Sequence, residues 1–250
     1  MATKPKTTAV AVKASTNVVS IKDALKAQAA AMSGRLTGGT SQEIKYSKGA
    51  FVLPDGRRST DPIQAVILDF VTSHTLYEDD YEDGKISPII CAALGDDPRN
   101  MVPYSSIATP HCDTCNGCEF NEYESAKMGR GKMCKQVTKM ALLVANNDGS
   151  IDPAGPIYTM LTTPKSIKTF SAYAKSVAAV FGMPPISVVT TLALVQDGKN
   201  YVVEYHDPIP NEGLADVFPR QAAARAILME EANVVAPTPK TPKARPAARR

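Results

Sequence analysis

Four of the five cysteines lie in one short stretch at metal-ligand spacing. Cys112, Cys115 and Cys118 follow one another as C-x2-C-x2-C, and fifteen residues separate Cys118 from Cys134. A C-x2-C turn brings two thiolates to one ion, and zinc binds four such soft ligands as a tetrahedron. The spacing therefore predicts a zinc site. Because a site filled by four protein ligands leaves no open position for water, this zinc is expected to be structural.

Spacing alone leaves the ligand set open. The four clustered cysteines are sufficient by themselves, while His111 and Cys91 are further candidates close by in the sequence. An iron–sulfur cluster is the alternative metal centre, because three cysteines at x2 spacing also open the bacterial ferredoxin pattern. In that pattern a fourth cysteine follows closely and precedes a proline. Neither feature occurs at Cys134, so zinc is favoured.

A run of basic residues closes the cysteine stretch. Its members are Lys127, Arg130, Lys132, Lys135 and Lys139. On a loop fixed by a metal, such side chains can contact phosphates, while the nearby aromatic residues Phe120, Tyr123 and Tyr104 stack on bases. The alternative is a charged loop that is merely solvated. The combination of metal clip, cations and aromatic rings predicts a surface for single-stranded nucleic acid.

The sequence contains no recognisable catalytic arrangement. His74, His111 and His206 have no Ser or Asp motif of a catalytic triad around them, and neither G-x-S-x-G nor H-E-x-x-H occurs. The segment GRGK, from Gly129, lacks the earlier glycine and the Ser or Thr of a phosphate-binding P-loop. The acidic cluster at 78–83 is expected to be a solvated hairpin tip. We therefore expect a protein that is not an enzyme.

Charge is distributed unevenly along the chain. The net charge is +3, but residues 1–36 carry six basic side chains against one acidic, and residues 236–250 carry five basic and none acidic. The two ends together hold about +10, which leaves about −7 for the middle. A uniformly basic nucleic-acid-binding body is therefore excluded. A local basic patch between cationic tails agrees with this distribution.

The elements that must position these residues are mainly strands. The sequence predicts strands around Ile44 and Phe51, through AVILDFVTSHTLY (65–77), TKMALLV (138–144) and PIYTMLTT (156–163), and a hairpin over 186–208 that turns at Asp197 and Gly198. Between them, Ile167, Phe170, Tyr173, Val177 and Phe181 recur at helical spacing before Gly182. This order predicts a mainly β, α+β fold with one or two helices. It suits the OB-fold, a five-stranded Greek-key barrel, with the zinc-binding loop inserted between strands and disordered termini.

Four segments are predicted along the chain. Residues 1–40 form a flexible basic arm with a short helix at 21–32, and residues 41–212 form the OB-like domain with the zinc insert at about 88–138. Residues 213–232 are predicted as a C-terminal helix that packs on the barrel or mediates self-association, and residues 233–250 as a disordered basic tail. No apolar run approaches the roughly 18 to 20 residues of a membrane span, and the N-terminus lacks a signal-peptide pattern. The chain is therefore expected in the cytoplasm, without membrane partners.

The cysteine stretch resembles a motif of tailed-bacteriophage single-stranded DNA-binding proteins. The motif C-x2-C-P-x-N-x-aromatic-G-S-A followed by G-K-G-K-x-C-K corresponds to residues 115–126 and 129–135. The resemblance continues upstream into Pro88-Ile89-Ile90-Cys91, and downstream into Thr163-Pro164-Lys165-Ser166 and Val188-Val189-Thr190-Thr191. Glu119 and Glu124 stand where the motif has proline and glycine, and the chain ends in a basic rather than an acidic tail.

The resemblance implies an OB-fold protein with a structural Zn²⁺ that binds single-stranded DNA in phage replication and recombination. It implies the ligands Cys91, Cys115, Cys118 and Cys134, whereas local spacing favours Cys112 in place of Cys91. Expected partners are single-stranded DNA and phage replication or recombination proteins, in the cytoplasm of the bacterial host. From residue type and location, the candidate DNA contacts are Lys45, Lys48, Arg57, Arg58, Tyr77, Tyr104, Tyr123, Arg130, Lys132 and Lys135. The alternative function is a zinc-containing protein-interaction, transcription or virion factor without preference for single strands.

Overall fold

The computed structural model describes residues 42–79, 87–126, 130–198, 200–232 and 234. The predictions for the N-terminal arm and its helix, for the acidic tip at 80–83 and for Lys127 lie outside these residues, as does nearly all of the predicted basic tail. In the described part, strands dominate and the helices are few, so the predicted mainly β, α+β class is confirmed.

The strands are β1 (Lys45–Ser47), β2 (Ala50–Val52), β3 (Arg58–Ser59), β4 (Ile63–Tyr77), β5 (Ile89–Gly95), β6 (Lys135–Val144), β7 (Tyr158–Leu161), β8 (Val188–Asp197) and β9 (Asn200–Pro210). The helices are α1 (Ser166–Phe181), α2 (Leu214–Val217) and α3 (Gln221–Leu228), with short 3-10 turns at Glu119–Asn121, Pro185–Ser187 and Phe218–Arg220. None of the helices in the described residues is long and apolar enough to cross a membrane.

One antiparallel sheet, ordered β7-β6-β4-β8-β9, forms the centre of the molecule. Its longest strand, β4, pairs with β8 at its first residues and with β6 along most of its length. The second half of β4 also pairs with β5. This strand is rich in Val, Ile, Thr and aromatic residues, which favour a pleated sheet. It therefore connects the body of the fold to the segment that carries the cysteines.

Both faces of β4 are covered by apolar residues. Ala65 and Ile67 belong to a core that includes Phe170, Tyr173 and Val177 of α1. On the other face, Val66 and Leu68 belong to a second core, with residues of β6 and of α2 and α3. Because successive side chains of a strand point to opposite faces, burial on both sides explains the nearly continuous apolar run at the start of β4.

Helix α1 agrees with its prediction. Its buried face consists of Ser166, Phe170, Tyr173 and Val177, which recur at helical spacing. The helix ends at Gly182, whose φ of 67° lies in the left-handed region that glycine adopts without strain and whose N–H bonds to the carbonyl of Ala178. Helix α1 lies in sequence between β7 and β8, as the predicted order requires.

The six strands of the main sheet are not closed by hydrogen bonds into the expected barrel. In the residues described, β7 and β9 share no ladder. The hairpin β1–β2 contacts both strands: the Ile44 amide bonds to the carbonyl of Thr159 in β7 at 2.7 Å. At Gly49, whose φ is 74°, a Cβ would lie 3.0 Å from the ring of Tyr201 in β9. Ile44 and Phe51 of this hairpin are buried in the same core as Tyr205 of β9.

The C-terminal segment 225–231, here called the C-terminal strap, ties the sheet to the cysteine-containing insert. Its helix α3 is shorter than predicted and ends at Leu228. The Lys139 ammonium group on β6 donates to the carbonyls of Ile227, Leu228 and Glu230 at 3.2, 3.0 and 3.4 Å. On the insert side, the Ser106 hydroxyl donates to Glu231 at 2.6 Å. Arg225 pairs with Asp69 of β4 and with Asp96 after β5.

Candidate metal centre and nucleic-acid surface

All five cysteines line one small cavity of about 20 Å³ between the sheet and the loop that follows β5. His74 and Leu76 of β4 also line this cavity, together with His111, Phe120 and Asn121 of the loop. None of the five cysteines forms a disulfide. The fold therefore gathers thiols from positions that are up to 43 residues apart in the sequence, from Cys91 to Cys134.

The sheet positions two of the thiols. Cys91 on β5 lies directly opposite Leu76 of β4. On the other side of β4, Lys135 is paired with Thr75, so Cys134 stands one residue beyond this pair and next to Leu76. Residues opposite one another in a ladder project to the same face. Cys91 and Cys134 therefore flank Leu76 on the face that the loop covers.

Backbone hydrogen bonds hold the cysteine-containing loop in place at Cys115 and Cys134. The Cys115 amide donates to the carbonyl of Met101 at 2.9 Å, and the Cys134 amide donates to that of Phe120 at 2.9 Å. Cys115 is buried and packs with Ala93 and Met101. The loop is therefore folded against β5. This places Cys115 in the cavity between the loop and the sheet.

The neighbouring thiols influence one another's pKa values. Burial, followed by the neighbouring thiols Cys91 and Cys118, raises the pKa of Cys115 to about 11. Burial, followed by Cys115, Cys91 and Cys118, raises the pKa of Cys134 to about 12. Cys91 in turn interacts with Cys118. Each member of this group of four thus interacts with the other three, while Cys112 interacts with Cys115 and is joined to Cys118 by a side-chain hydrogen bond.

The structure tests how well these thiols suit a metal. Raised pKa values keep thiols protonated, and a divalent cation reverses this preference because it stabilises the thiolates. In the described residues, no three His, Cys, Asp or Glu side chains converge tightly enough to hold an ion as they stand. Since Zn–S bonds are about 2.3 Å long, zinc binding requires the sulfur atoms to move closer together. The donor chemistry fits zinc, and the cavity brings the donors to one place.

His74 is a member of this site that the sequence did not reveal. Its side chain is 1% exposed, and neither ring nitrogen forms a hydrogen bond of normal geometry in the described residues, although the side chain of Gln136 lies directly opposite on β6. Burial and then the positive charge of Lys132 lower the pKa of His74 to about 4, although the side chain of Gln136 partly opposes this shift. His74 is therefore held neutral. Only the register of β4 against β5 and β6 places it beside the cysteines, which explains why a linear motif could not find it.

The outer surface of the cysteine loop presents an aromatic ring beneath a cation. Tyr123 is 77% exposed, and the Lys132 ammonium nitrogen lies 5.0 Å from the centre of its ring. The same ammonium group donates to Oδ1 of Asn121 at 3.2 Å, and the Asn121 amide donates to the carbonyl of Cys115 at 2.8 Å. The position of Lys132 above Tyr123 thus depends on a chain of contacts that starts at the cysteine cavity.

Two more basic residues lie beside this pair. The side chain of Arg130 is 94% exposed and lies 3.9 Å from the carboxylate of Glu124. Lys135 is exposed, and its ammonium group donates to the carbonyl of Lys132 at 2.7 Å. Glu124 has a φ of 69°, in the left-handed region that favours glycine.

A second group of candidate contacts lies on the sheet β1–β2–β3. Lys45 pairs with Val52, and Val52 pairs with Arg58, so these three side chains share one face. Arg58 also donates to the carbonyl of Ser47 at 3.3 Å. Arg57 forms an exposed ion pair with Asp55 at 2.6 Å.

Lys48 is the fourth basic residue of this group and lies exposed in the β1–β2 turn. Arg57 and Arg58 line an open groove of about 1060 Å³ together with the ends of β4 and β6 and the loop that follows β6. The groove lies near the Ala65–Val144 pair, whereas the cysteine cavity lies beyond the Thr75–Lys135 pair. Ten residues of strand, about 33 Å, separate these two places.

Two side chains that were predicted to contact DNA are not available for it in the structure, and a third is partly exposed. Tyr104 is 7% exposed, so its ring is not free to stack on a base. Lys139, from the basic run, is turned towards the C-terminal strap and its ammonium group is used there. Tyr77, at the end of β4, is 40% exposed and remains accessible.

Comparisons of this chain with protein-family models, with curated proteins and with solved structures gave no match. The family resemblance of the cysteine motif therefore remains a prediction, and the function must be argued from the site itself.

Proposed function

We propose that this protein is a single-stranded DNA-binding protein of the OB-fold type, with a structural zinc in the loop inserted between β4 and β6, and that it acts in phage DNA replication and recombination in the host cytoplasm. The observation that carries the proposal is the exposed Tyr123 ring beneath Lys132, held on a loop whose base is the cysteine cavity. An exposed ring that stacks on bases and a cation that contacts phosphates are the two components of sequence-independent single-strand binding.

The strand order supports the OB-type part of the proposal. If β4, β6, β7, β8 and β9 are the five strands, the first pairs with the second and the fourth, and α1 lies between the third and the fourth. The hairpin β1–β2 then occupies the side at which the third and fifth strands would meet. On this assignment the cysteine loop connects the first strand to the second, which is one of the connections with which OB-folds contact oligonucleotides.

The four mutually interacting cysteines support the zinc part of the proposal. Cys91, Cys115, Cys118 and Cys134 supply four thiolates, as a closed structural site requires, and leave Cys112 outside the set. No ligand position then remains for water, so the metal stabilises the loop and takes no part in a reaction. Its contribution to DNA binding is to hold Asn121, and through it Lys132, in place.

The two groups of basic residues divide the proposed DNA surface. The first consists of Tyr123, Arg130, Lys132 and Lys135 on the cysteine loop, with Tyr77 near the end of β4. The second consists of Lys45, Lys48, Arg57 and Arg58 near the groove. A single strand that contacts both groups must follow the length of β4, and a short oligonucleotide can contact one group alone. OB-type sites accommodate about 4 to 16 nucleotides, which covers both cases.

A fluorescence titration with oligo-dT and with duplex DNA of the same length, at several salt concentrations, tests this function. We expect tighter binding of the single strand and an affinity that falls steeply as salt rises, because phosphate contacts release counterions. Equal affinity for duplex DNA would favour the protein-interaction or transcription factor instead. Metal analysis of the same sample should give one zinc and a colourless protein, whereas a brown protein with broad visible absorbance would indicate an iron–sulfur cluster.

A further inference from the structure

His74 is a buried histidine whose ring nitrogens are unused. It lies in the middle of the sheet, on β4 between β5 and β6, with 1% of its surface exposed. Neither nitrogen forms a hydrogen bond of normal geometry in the described part of the chain, although the side chain of Gln136 lies directly opposite on β6. A neutral imidazole carries one N–H donor and one bare acceptor nitrogen. Buried polar groups in folded proteins nearly always have a hydrogen-bond partner. An unpaired buried ring therefore indicates a bound ligand, or a hydrogen bond that forms only when a ligand binds.

The register of β4 places His74 beside the cysteines. His74 and Leu76 are two residues apart on one strand, so both side chains project to the same face. Cys91 lies opposite Leu76, and Cys134 stands next to Leu76 on the other side. The imidazole ring therefore lies one row from both thiols, and it lines the same cavity as they do.

The two protonation states of the cysteines make different partners for an imidazole N–H. A protonated thiol is a weak hydrogen-bond acceptor. A thiolate bound to a metal carries negative charge, and hydrogen bonds to charged acceptors are about twice as strong as those between neutral groups. Metal binding would thus create the acceptor that the ring lacks.

We infer that His74 is a positioning residue of the metal site, which donates its ring N–H to the metal-bound thiolate of Cys91 or Cys134. This inference rests on the proposed zinc site. A direct ligand role fits the structure less well. Four cysteines already complete a tetrahedral zinc site, and a ligating histidine normally donates its other N–H to a carboxylate, a carbonyl or a water. Gln136 lies directly opposite His74 on β6, but its side chain forms no hydrogen bond of normal geometry with the ring.

Zinc affinity of the full-length protein, measured by competition with a chelator under reducing conditions, tests the inference. His74→Leu keeps an apolar side chain of similar size and removes the donor, whereas His74→Asn keeps an N–H donor. We expect His74→Leu to weaken zinc binding by about 10- to 100-fold, which is typical for loss of an outer hydrogen bond, and His74→Asn to restore most of the affinity. The metal-free His74→Leu protein should be at least as stable as metal-free wild type, because an unpaired buried polar group has been removed.

Each other outcome contradicts the inference in a distinct way. Unchanged zinc affinity in His74→Leu, or an equal loss of stability with and without metal, would mean that His74 only fills space. A cobalt-substituted wild-type protein should show the spectrum of four thiolate ligands, and a spectrum with one nitrogen ligand would make His74 a ligand. If the wild type binds no metal but still prefers oligo-dT, the zinc site and this inference both fail while the DNA-binding function stands.

Discussion

The ammonium group of Lys132 lies 5.0 Å above the ring centre of Tyr123, and the same group donates a hydrogen bond to Oδ1 of Asn121 at 3.2 Å. A cation at this distance is attracted by the negative face of the ring. The cysteine loop thereby presents an ordered ring and an ordered charge side by side, although both residues are at the surface. A base stacked on Tyr123 would bring its own phosphate close to Lys132.

Replacement of Tyr123 by alanine should weaken the binding of oligo-dT. Stacking of one base on an aromatic ring contributes about 1 to 3 kcal/mol, so the dissociation constant should rise by about 5- to 150-fold. Tyr123→Phe keeps the ring and should bind nearly as well as wild type. The measurement is a fluorescence titration at one fixed salt concentration.

Phe218 offers a matched control for this experiment. It is also an exposed aromatic residue, at 59%, but lies near the C-terminal helices and outside both groups of proposed contacts. Phe218→Ala should leave the affinity for oligo-dT unchanged. If Tyr123→Ala binds as tightly as Phe218→Ala, the loop does not stack on bases and the proposed surface is wrong.

Lys135 and Lys139 are four residues apart on β6 and should behave differently when replaced by glutamine. Lys135 is exposed at the surface of the loop, so Lys135→Gln should reduce the slope of log affinity against log salt by about 0.7, the value for one phosphate contact on a single strand. Lys139→Gln should leave this slope unchanged. It should instead lower the free energy of unfolding in urea by about 1 to 3 kcal/mol, because three carbonyls of the C-terminal strap lose a charged donor.

The reverse pattern would show that the basic run acts as one DNA-binding unit irrespective of side-chain contacts. Lys175→Gln provides the control, since Lys175 is an exposed lysine on α1, outside the proposed surface. It should change neither the slope nor the stability.

Much of the fold follows from local patterns. The β-branched run of β4, the helical spacing of α1 and the Asp-Gly turn between β8 and β9 each specify their element through nearest neighbours, and all three are present. Strand β5 was not predicted, because its sequence IICAALG has neither an alternating pattern nor β-branched residues throughout. The contacts of the hairpin β1–β2 with β7 and β9 depend on pairings more than 100 residues apart, which no local pattern encodes.

The site could be predicted only in part for a similar reason. Spacing identified the thiols of the loop, since a C-x2-C turn is a local device. The choice between Cys91 and Cys112 and the place of His74 depend on the register of three strands, which is set by packing along their whole length. The run of lysines did not reveal that Lys135 is exposed while Lys139 bonds to the C-terminal strap, because residues four apart on a strand project to the same face and only the tertiary contact distinguishes them.

The ion pair between Arg225 and Asp96 should make the attachment of the C-terminal strap depend on pH. The hydrogen bond from Arg225 holds the pKa of Asp96 below its ordinary value of 3.8. A lowered carboxyl pKa stabilises the folded state fully above the ordinary pKa, and this stabilisation is lost as the pH falls through the lowered value. Asp96→Asn should therefore cost up to about 1 kcal/mol at neutral pH, since the pair is largely exposed, and nothing at a pH well below the lowered pKa.

Urea unfolding of wild type and Asp96→Asn at pH 7 and in strong acid measures this difference. Asp113→Asn, in the exposed cysteine loop, controls for the loss of one negative charge. A difference between wild type and Asp96→Asn that stays the same in acid would show that the carboxylate charge does not matter to the strap.

The fourth metal ligand can be decided by two single substitutions. Cys91 and Cys134 flank Leu76 on the covered face of the sheet, and Cys91 interacts with Cys115, Cys118 and Cys134, whereas Cys112 interacts with Cys115 and is hydrogen-bonded to Cys118. Cys91→Ser should therefore release the zinc and, because binding energy at a structural zinc site is also folding energy, destabilise the loop. Cys112→Ser should retain one zinc per chain and bind oligo-dT like wild type. Metal content by mass spectrometry of the native protein, followed by the oligo-dT titration, measures both effects.

Loss of zinc from Cys112→Ser with full retention in Cys91→Ser would reverse the assignment and place all four ligands within the stretch 112–134. Retention of zinc in both variants would mean that either thiol can complete the site, and the assignment of Cys91 as the one fourth ligand would then be wrong.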